Sequence, residues 1–283
     1  MDGYKRILTI QDISCVGQCS LTVALPILSA CGVETAILPS AVLSTHTAGF
    51  SGFTFRDLTD DIPAIMRHWE KEGLYFDAVY TGYLGSIRQI GYVQAMIGSR
   101  LKEGGLAVID PAMGDNGKLY SAFDTEYVEE MKKLIAVADI TLPNVTEACF
   151  LTGAEYREEY DEGYIRRLTD GLLALGAKSV VLTGIGYEKT TTGVVVADRK
   201  GFSYYKHKKI DRGCHGTGDV YASAFCGALL RGKSAFDAAK IAADFTVRCI
   251  ENTLEDKNHW YGVKFETALP ELIGKVSARR TEE

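Results

Sequence analysis

The sequence predicts an α/β fold: a central, mostly parallel sheet with helices on both faces and a hairpin at one edge. Three observations predict it. Six short apolar, β-branched runs recur along the chain, all but the last followed by a stretch of helical period. Those runs are apolar on both faces, as strands buried between two helical layers must be. The last two extended runs, 191–198 and 201–209, are separated only by a short turn around 198–200, as in a hairpin.

Taken in order, "RILTIQ" (6–11) opens the sheet and is followed by a helix over 20–31, where Pro26 predicts a kink because it removes an intrahelical hydrogen bond. "VETAILP" (33–39) leads to a helix at 61–72, "FDAVYTG" (76–82) to one at 87–103, and "LAVIDP" (106–111) to one at 124–137. "ADITLP" (138–143) is followed by helices at 144–152 and 163–175, and "KSVVLTG" (178–184) by the hairpin. Helices at 217–231 and 234–252 close the pattern. No shift in composition, low-complexity tract or internal repeat divides the chain, so one domain over 1–283 is expected.

Composition narrows the function. An apolar share of 46 % and a charged share of 24 % are those of a globular protein. The net charge of −6 argues against nucleic acid or an anionic membrane as partner and leaves a small molecule. Seven cysteines and five histidines show no metal-ligand spacing, which points to reduced thiols. No signal peptide or membrane-spanning run is legible, so a cytoplasmic location is expected.

In an open α/β sheet, ligands bind beyond the carboxyl ends of the strands. That rule selects Asp12, the 44–50 loop, 81–83, 110–115, Asn144, Glu147 and 183–186. Beyond them stands "HGTGD", where Gly216 and Gly218 allow backbone N–H groups to converge at the start of a helix, a site for an anion. Asp219, in the first turn, either complements the helix dipole or serves as a general base beside that anion; its setting in GTGD, flanked by small residues after the six strands, favours the base. In "IDPAMGDNGKLY" (109–120), Asp115 and Tyr120 lie in a glycine-rich turn. In "LPNVTEA" (142–148), Asn144 and Glu147 have the spacing of an N-cap and its capping-box partner; alternatively, Glu147 and Asp110 hold a hydrated Mg²⁺.

The set "ILTIQ", "LSTHTAGF", "VYTGYLGS", "IDPAMGDNGKLY", "LPNVTEACFLTG", "VVLTG" and "HGTGDVYASAF", in this order, resembles the pyridoxal kinases of the ribokinase-like superfamily, from about residue 5 to about residue 252. The resemblance implies ATP-dependent phosphorylation of the 5′-hydroxymethyl group of a vitamin B6 vitamer: pyridoxal, pyridoxine or pyridoxamine. Asp219 would be the base, and the N–H groups of Gly216, Thr217 and Gly218 would steady the transferring phosphoryl group. Asp110 and Glu147 would work through Mg²⁺ and its water. Asn144, Thr183, Thr217, Gly218 and Asp110 would face the ATP phosphates, with Asp115 and Tyr120 in a loop over the nucleotide. Asp12, His46, Thr47 and Tyr83 would form the ring pocket, with His46 in a binding role only, and Cys214 has no catalytic part. A homodimer is also implied, with room for a monovalent cation.

Two departures from the pattern stand out: Asp12 where such kinases commonly have Ser, and "GIGYEKT" after Thr183 without the usual second hydroxyl. A buried carboxylate at 12 calls for a partner: the 4′-ammonium of pyridoxamine, a protonated ring nitrogen, a protein Arg or Lys, or the N–H groups of a helix start. The rival within the superfamily is a hydroxymethylpyrimidine kinase, which typically carries a "GTDPSGGAG"-like segment where this chain has "DISCVGQCS". The rival outside it is a non-catalytic nucleotide- or vitamin-binding regulator, which would need no base.

Overall fold

The computed structural model describes residues 3–210 and 213–278. The strands are β1 (Arg6–Ser14), β2 (Glu34–Leu43), β3 (Phe55–Asp57), β4 (Phe76–Thr81), β5 (Leu101–Ile109), β6 (Gly114–Asp115), β7 (Lys118–Leu119), β8 (Ile140–Thr141), β9 (Ser179–Thr183), β10 (Thr191–Asp198) and β11 (Gly201–Lys208). The helices are α1 (Leu21–Ala30), α2 (Ile62–Lys71), α3 (Ile87–Arg100), α4 (Thr125–Ile135), α5 (Val145–Thr152), α6 (Glu162–Leu175), α7 (Thr217–Leu230), α8 (Ala235–Glu251) and α9 (Leu269–Ser277).

Nine strands form one sheet in the order β11-β10-β9-β8-β5-β4-β1-β2-β3. The six apolar runs are its parallel centre, β2 to β9. Antiparallel strands close both edges: the expected hairpin β10–β11, and β3 on β2. Alternation along each strand divides the core. Ile7, Ala78, Tyr80, Val108 and Val181 face α1, α7 and α8, while Leu8, Ile10, Val79, Ile109 and Leu182 face α3, α4 and α6. Pro26 lies inside α1.

Three features depart from the sequence pattern. Residues 101–103, expected at the end of a helix, are the first of β5, because Gly104 at φ 70° and Gly105 interrupt any helical continuation and Leu101 pairs with Phe76. The short β3 and the β6–β7 hairpin carry too few residues for periodicity to reveal them. Helix α9, which packs Leu272 and Val276 into the α7–α8 side of the core, lies beyond the last expected element. No helix among the described residues is long and apolar enough to cross a membrane.

Candidate active site

The parallel strands all end on one side of the sheet, and there the polar side chains meet. Asp12 sits where the β1–β2 register shifts between Gln11 and Ile13, a bulge that re-aims the strand's side chains. It is 6 % exposed and takes hydrogen bonds from the hydroxyls of Ser20 (2.6 Å) and Ser14 (3.0 Å). Burial pushes its carboxyl above the usual range, against the pull of those two hydroxyls. Neither a protein cation nor a helix start partners Asp12 among the described residues. Tyr83, half-buried past the end of β4, has its phenol pushed up by burial and then by the charge of Asp12.

The "HGTGD" turn takes the form expected of it. Gly216 is the N-cap of α7 at φ 73°, and a Cβ there would stand 1.9 Å from the carbonyl oxygen of Gln18. Only glycine fits, on conformation and on space alike. Among the described residues no side chain caps α7, and a helix start of this kind offers N–H groups to an anion. Asp219, in the first turn, accepts the N–H of Ser20 at 2.9 Å through Oδ2. Its pKa is pushed up to about 6, first by burial and then by Asp12, with the Ser20 bond opposing. A carboxylate poised near neutrality suits a general base.

On the other flank, Asn144 caps α5 and forms a complete capping box with Glu147. Glu147 is buried and does more than cap: Oε1 accepts the N–H of Met113 at 3.0 Å and of Gly114 at 3.5 Å, and Oε2 that of Asn144 at 2.9 Å. It thereby ties α5 to the loop after β5. Burial raises its pKa to about 7 despite these bonds, with Asp115 adding to the rise. Asp110, also buried, is held well above the carboxylate range by burial and by the charges of Glu147 and Asp219. Only the N–H of Ala112, at 3.2 Å, opposes this.

No ion pair among the described residues reaches Asp12, Asp110, Glu147 or Asp219. Two buried, mutually repelling carboxylates without a cation fit a hard divalent ion. No group of three His, Cys, Asp or Glu side chains converges on a metal position among the described residues, so phosphate and water oxygens would have to complete the coordination.

The remaining predicted residues fall on both sides of the site. Thr183 pairs with Asn144 across a parallel bridge and bonds the Pro143 carbonyl, and Asn144 donates to the Gly114 carbonyl at 2.9 Å. Thr217 is half-buried beside Gly216, its hydroxyl 3.5 Å from the Cys214 carbonyl. Asp115 is exposed on the β6–β7 hairpin, and Tyr120, 43 % exposed, feels the charges of Glu147, Asp115, Asp110 and Asp219 behind the larger effect of burial. His46 is a structural tie: Nδ1 accepts the Ala48 N–H at 3.2 Å, which leaves Nε2 to donate to the Tyr261 carbonyl at 2.9 Å. Both nitrogens are thereby engaged, and the buried ring packs against Phe50 and His215. Thr47 is exposed.

One participant was not singled out from the sequence. Ser20 touches both Asp12 and Asp219, and its backbone, φ 56° and ψ −133°, lies outside the regions open to residues with a side chain. A strained turn set by its surroundings leaves no mark in the local sequence.

The family profile of the phosphomethylpyrimidine kinases matches residues 28–263. The chain belongs to the phosphomethylpyrimidine kinase family. Pyridoxal kinases are among the relatives of this kinase, and it shares their ribokinase-like fold. A candidate phosphomethylpyrimidine kinase from Bacteroides thetaiotaomicron, 37 % identical, superposes with a TM-score of 0.92 over 95 % of this chain and 94 % of that one. It has also been crystallised with pyridoxal. Pyridoxal kinase from Lactobacillus plantarum is 31 % identical, with a TM-score of 0.89 over 96 % and 98 % of the two chains. The hydroxymethylpyrimidine/phosphomethylpyrimidine kinase of Aquifex aeolicus is 32 % identical over 54 % of this kinase and 59 % of that relative, less than two thirds of its length.

Proposed function

We propose that this kinase transfers the γ-phosphoryl group of ATP to the 5′-hydroxymethyl group of a B6 vitamer. One observation carries the reading: Asp219, its pKa pushed up to about 6, stands at an uncapped helix N-terminus and is joined through Ser20 to Asp12 in the pocket with Tyr83. A base at one end of a chain of contacts and a ring-facing acid at the other suit an alcohol carried on a polar ring. The pyridoxal-bound crystal of the Bacteroides relative supports the same substrate class.

Asp219 accepts the proton of the hydroxymethyl oxygen as that oxygen attacks the γ-phosphorus and the bond to the β-phosphate oxygen breaks. The N–H groups of Gly216, Thr217 and Gly218 stabilise the charge spread over the transferring oxygens. Asn144 and Thr183 line the ATP phosphates, and Asp115 and Tyr120 lie over the nucleotide. Asp110 and Glu147 would hold Mg²⁺, which when bound supplies the positive charge that these two buried carboxylates and the phosphates lack. Asp12, Tyr83 and Thr47 orient the ring, with His46 in a binding role beside them. The reading takes 1–283 as one domain, of which residues 1–2, 211–212 and 279–283 lie outside the described residues, acting as a cytoplasmic homodimer.

The profile match and the Aquifex relative favour a second reading, a hydroxymethylpyrimidine kinase with the same machinery. ATP consumption with each vitamer and with hydroxymethylpyrimidine, with and without Mg²⁺, separates the two. Mg²⁺-dependent turnover of a vitamer at a kcat/KM at least about tenfold above the pyrimidine is expected, a difference of about 1.4 kcal/mol in transition-state binding. A reversed preference establishes the pyrimidine reading, and no consumption with any substrate leaves a binding protein.

A further inference from the structure

We propose that Ser20 is a positioning residue: its backbone N–H holds Asp219 while its hydroxyl holds Asp12, so that one strained residue fixes the carboxylate at the phosphoryl end of the site relative to the carboxylate at the ring end. The proposal rests on the function proposed above and assigns a residue that nothing in the motif pattern marks.

Three observations carry it. The first is the backbone. Among the described residues only Ser20 and Asn116 have positive φ without being glycine, and at ψ −133° Ser20 also lies outside the small left-handed region. Glycine would take this conformation at little cost, so the chain keeps a side chain where one is unfavourable. The second is what that side chain does. Ser20 is the N-cap of α1, where a serine hydroxyl ordinarily accepts a helix N–H, yet it makes no such bond. It donates instead to Asp12 Oδ1 at 2.6 Å, a short bond to a carboxylate. The third is the other end of the same residue, whose N–H reaches Asp219 Oδ2 at 2.9 Å across 199 positions of sequence.

The geometry explains why strain is tolerated here. With α1 starting at Leu21, a regular N-cap backbone would place the Ser20 N–H and hydroxyl in the ordinary capping arrangement; the positive φ turns them toward two different acids. The turn is braced on both sides. Gly216 lies against the Gln18 carbonyl, and Ile13 forms an antiparallel bridge with Ser20 itself. Cys19, next to Ser20, has its thiol held protonated by burial and by the charges of Asp219 and Asp12, so it does not compete as a nucleophile. The consequence is specific: the Asp219 contact needs only the backbone of residue 20, and the Asp12 contact needs its hydroxyl.

Two variants separate these contacts. Ser20→Gly keeps the N–H and relieves the strain but loses the hydroxyl; Ser20→Ala loses the hydroxyl and keeps the Cβ. Each is made in the parent and in Asp12→Ser, and all six proteins are assayed for vitamer phosphorylation and thermal unfolding. In the parent both variants should lower kcat/KM roughly tenfold, mainly through KM because Asp219 retains its N–H. In the Asp12→Ser background the loss should shrink to about twofold or less. Ser20→Gly should raise Tm by roughly 3–6 °C in Asp12→Ser and by clearly less in the parent, where the bond to Asp12 is also lost. Ser20→Ala should give no such gain. Equal losses of kcat/KM in both backgrounds, or equal gains in Tm from Ser20→Gly, overturn the link between Ser20 and Asp12. A parent that phosphorylates none of the substrates removes the proposed function, and the unfolding cycle still decides the link.

Discussion

Helices α5 and α7 both begin beside the carboxyl ends of the parallel strands, and they treat their N-termini in opposite ways. At α5 a regular Asn144, φ −84° and ψ 177°, and Glu147 satisfy the first N–H groups from within the chain. At α7 the cap is Gly216 in the left-handed region, and no side chain among the described residues satisfies those groups. Glu147 returns to the N–H of its own cap, Asn144, while also reaching Met113 and Gly114, whereas Asp219 reaches across to Ser20 on another element. A helix start whose donors are filled by its own residues is scaffold, and one left uncapped beside a raised-pKa carboxylate is where an incoming anion is met.

The comparison breaks most readily at Asp219. Asp219→Asn should lower kcat by roughly 10²–10⁴ while ATP binding persists, because only the proton acceptor is lost. A kcat within about threefold of the parent would return Asp219 to a dipole-complementing role. The parent should also show the titration: with the group pushed up to about 6, the basic form dominates only above that pH, so kcat/KM rises with pH through about 6 and then levels. The stability contribution runs the other way. A carboxyl whose folded pKa is raised holds its proton more tightly when folded, so its stabilisation is complete below the unfolded value of about 3.9 and is lost as the pH climbs through about 6.

A smaller effect should follow from filling the uncapped end with one methyl group. In Gly216→Ala the new Cβ would meet the Gln18 carbonyl at 1.9 Å on a backbone with φ 73°. The loss should be at least about 2 kcal/mol, or about 4–8 °C in Tm for a chain of this size, together with reduced kcat. Unfolding at an unchanged Tm would mean that the α7 turn has room the structure denies it.

The capped end should respond least and in a different quantity. Glu147→Gln puts an amide where three N–H groups converge, and removes one of two carboxylates that fit Mg²⁺. The Mg²⁺ concentration for half-maximal rate should rise severalfold, more than KM for the vitamer rises. If the Mg²⁺ requirement stays put while Tm falls, Glu147 is scaffold alone, and the contrast between the two helix ends becomes complete.

Much of this arrangement is legible in the chain, and the residues show where legibility ends. The parallel strands could be read because burial on both faces writes continuous apolar runs such as "AVYT" and "SVVLT". Asn144 and Glu147 could be read because a capping box spans four consecutive residues and needs nothing beyond them. The end of α3 is not legible because helix passes directly into strand at Arg100 and Leu101, whereas the breakers Gly104 and Gly105 come three residues later. His46 could be nominated for the pocket, but that its two nitrogens serve Ala48 and Tyr261 depends on a segment 215 positions away.

By itself, then, the sequence determined the α/β architecture, the strand ends at which chemistry gathers and the glycine turn before Asp219, because each follows from local periodicity, local backbone freedom or a run of a few residues. Tertiary structure alone decided what those groups become. That Asp12 accepts the hydroxyls of Ser14 and Ser20, that Ser20 joins Asp12 to Asp219, and that Asp110 and Glu147 share a buried setting all depend on segments brought together by the sheet order. The physical reason is that backbone strain at Ser20 and desolvation at these carboxylates are properties of the packed surroundings, which no residue carries on its own.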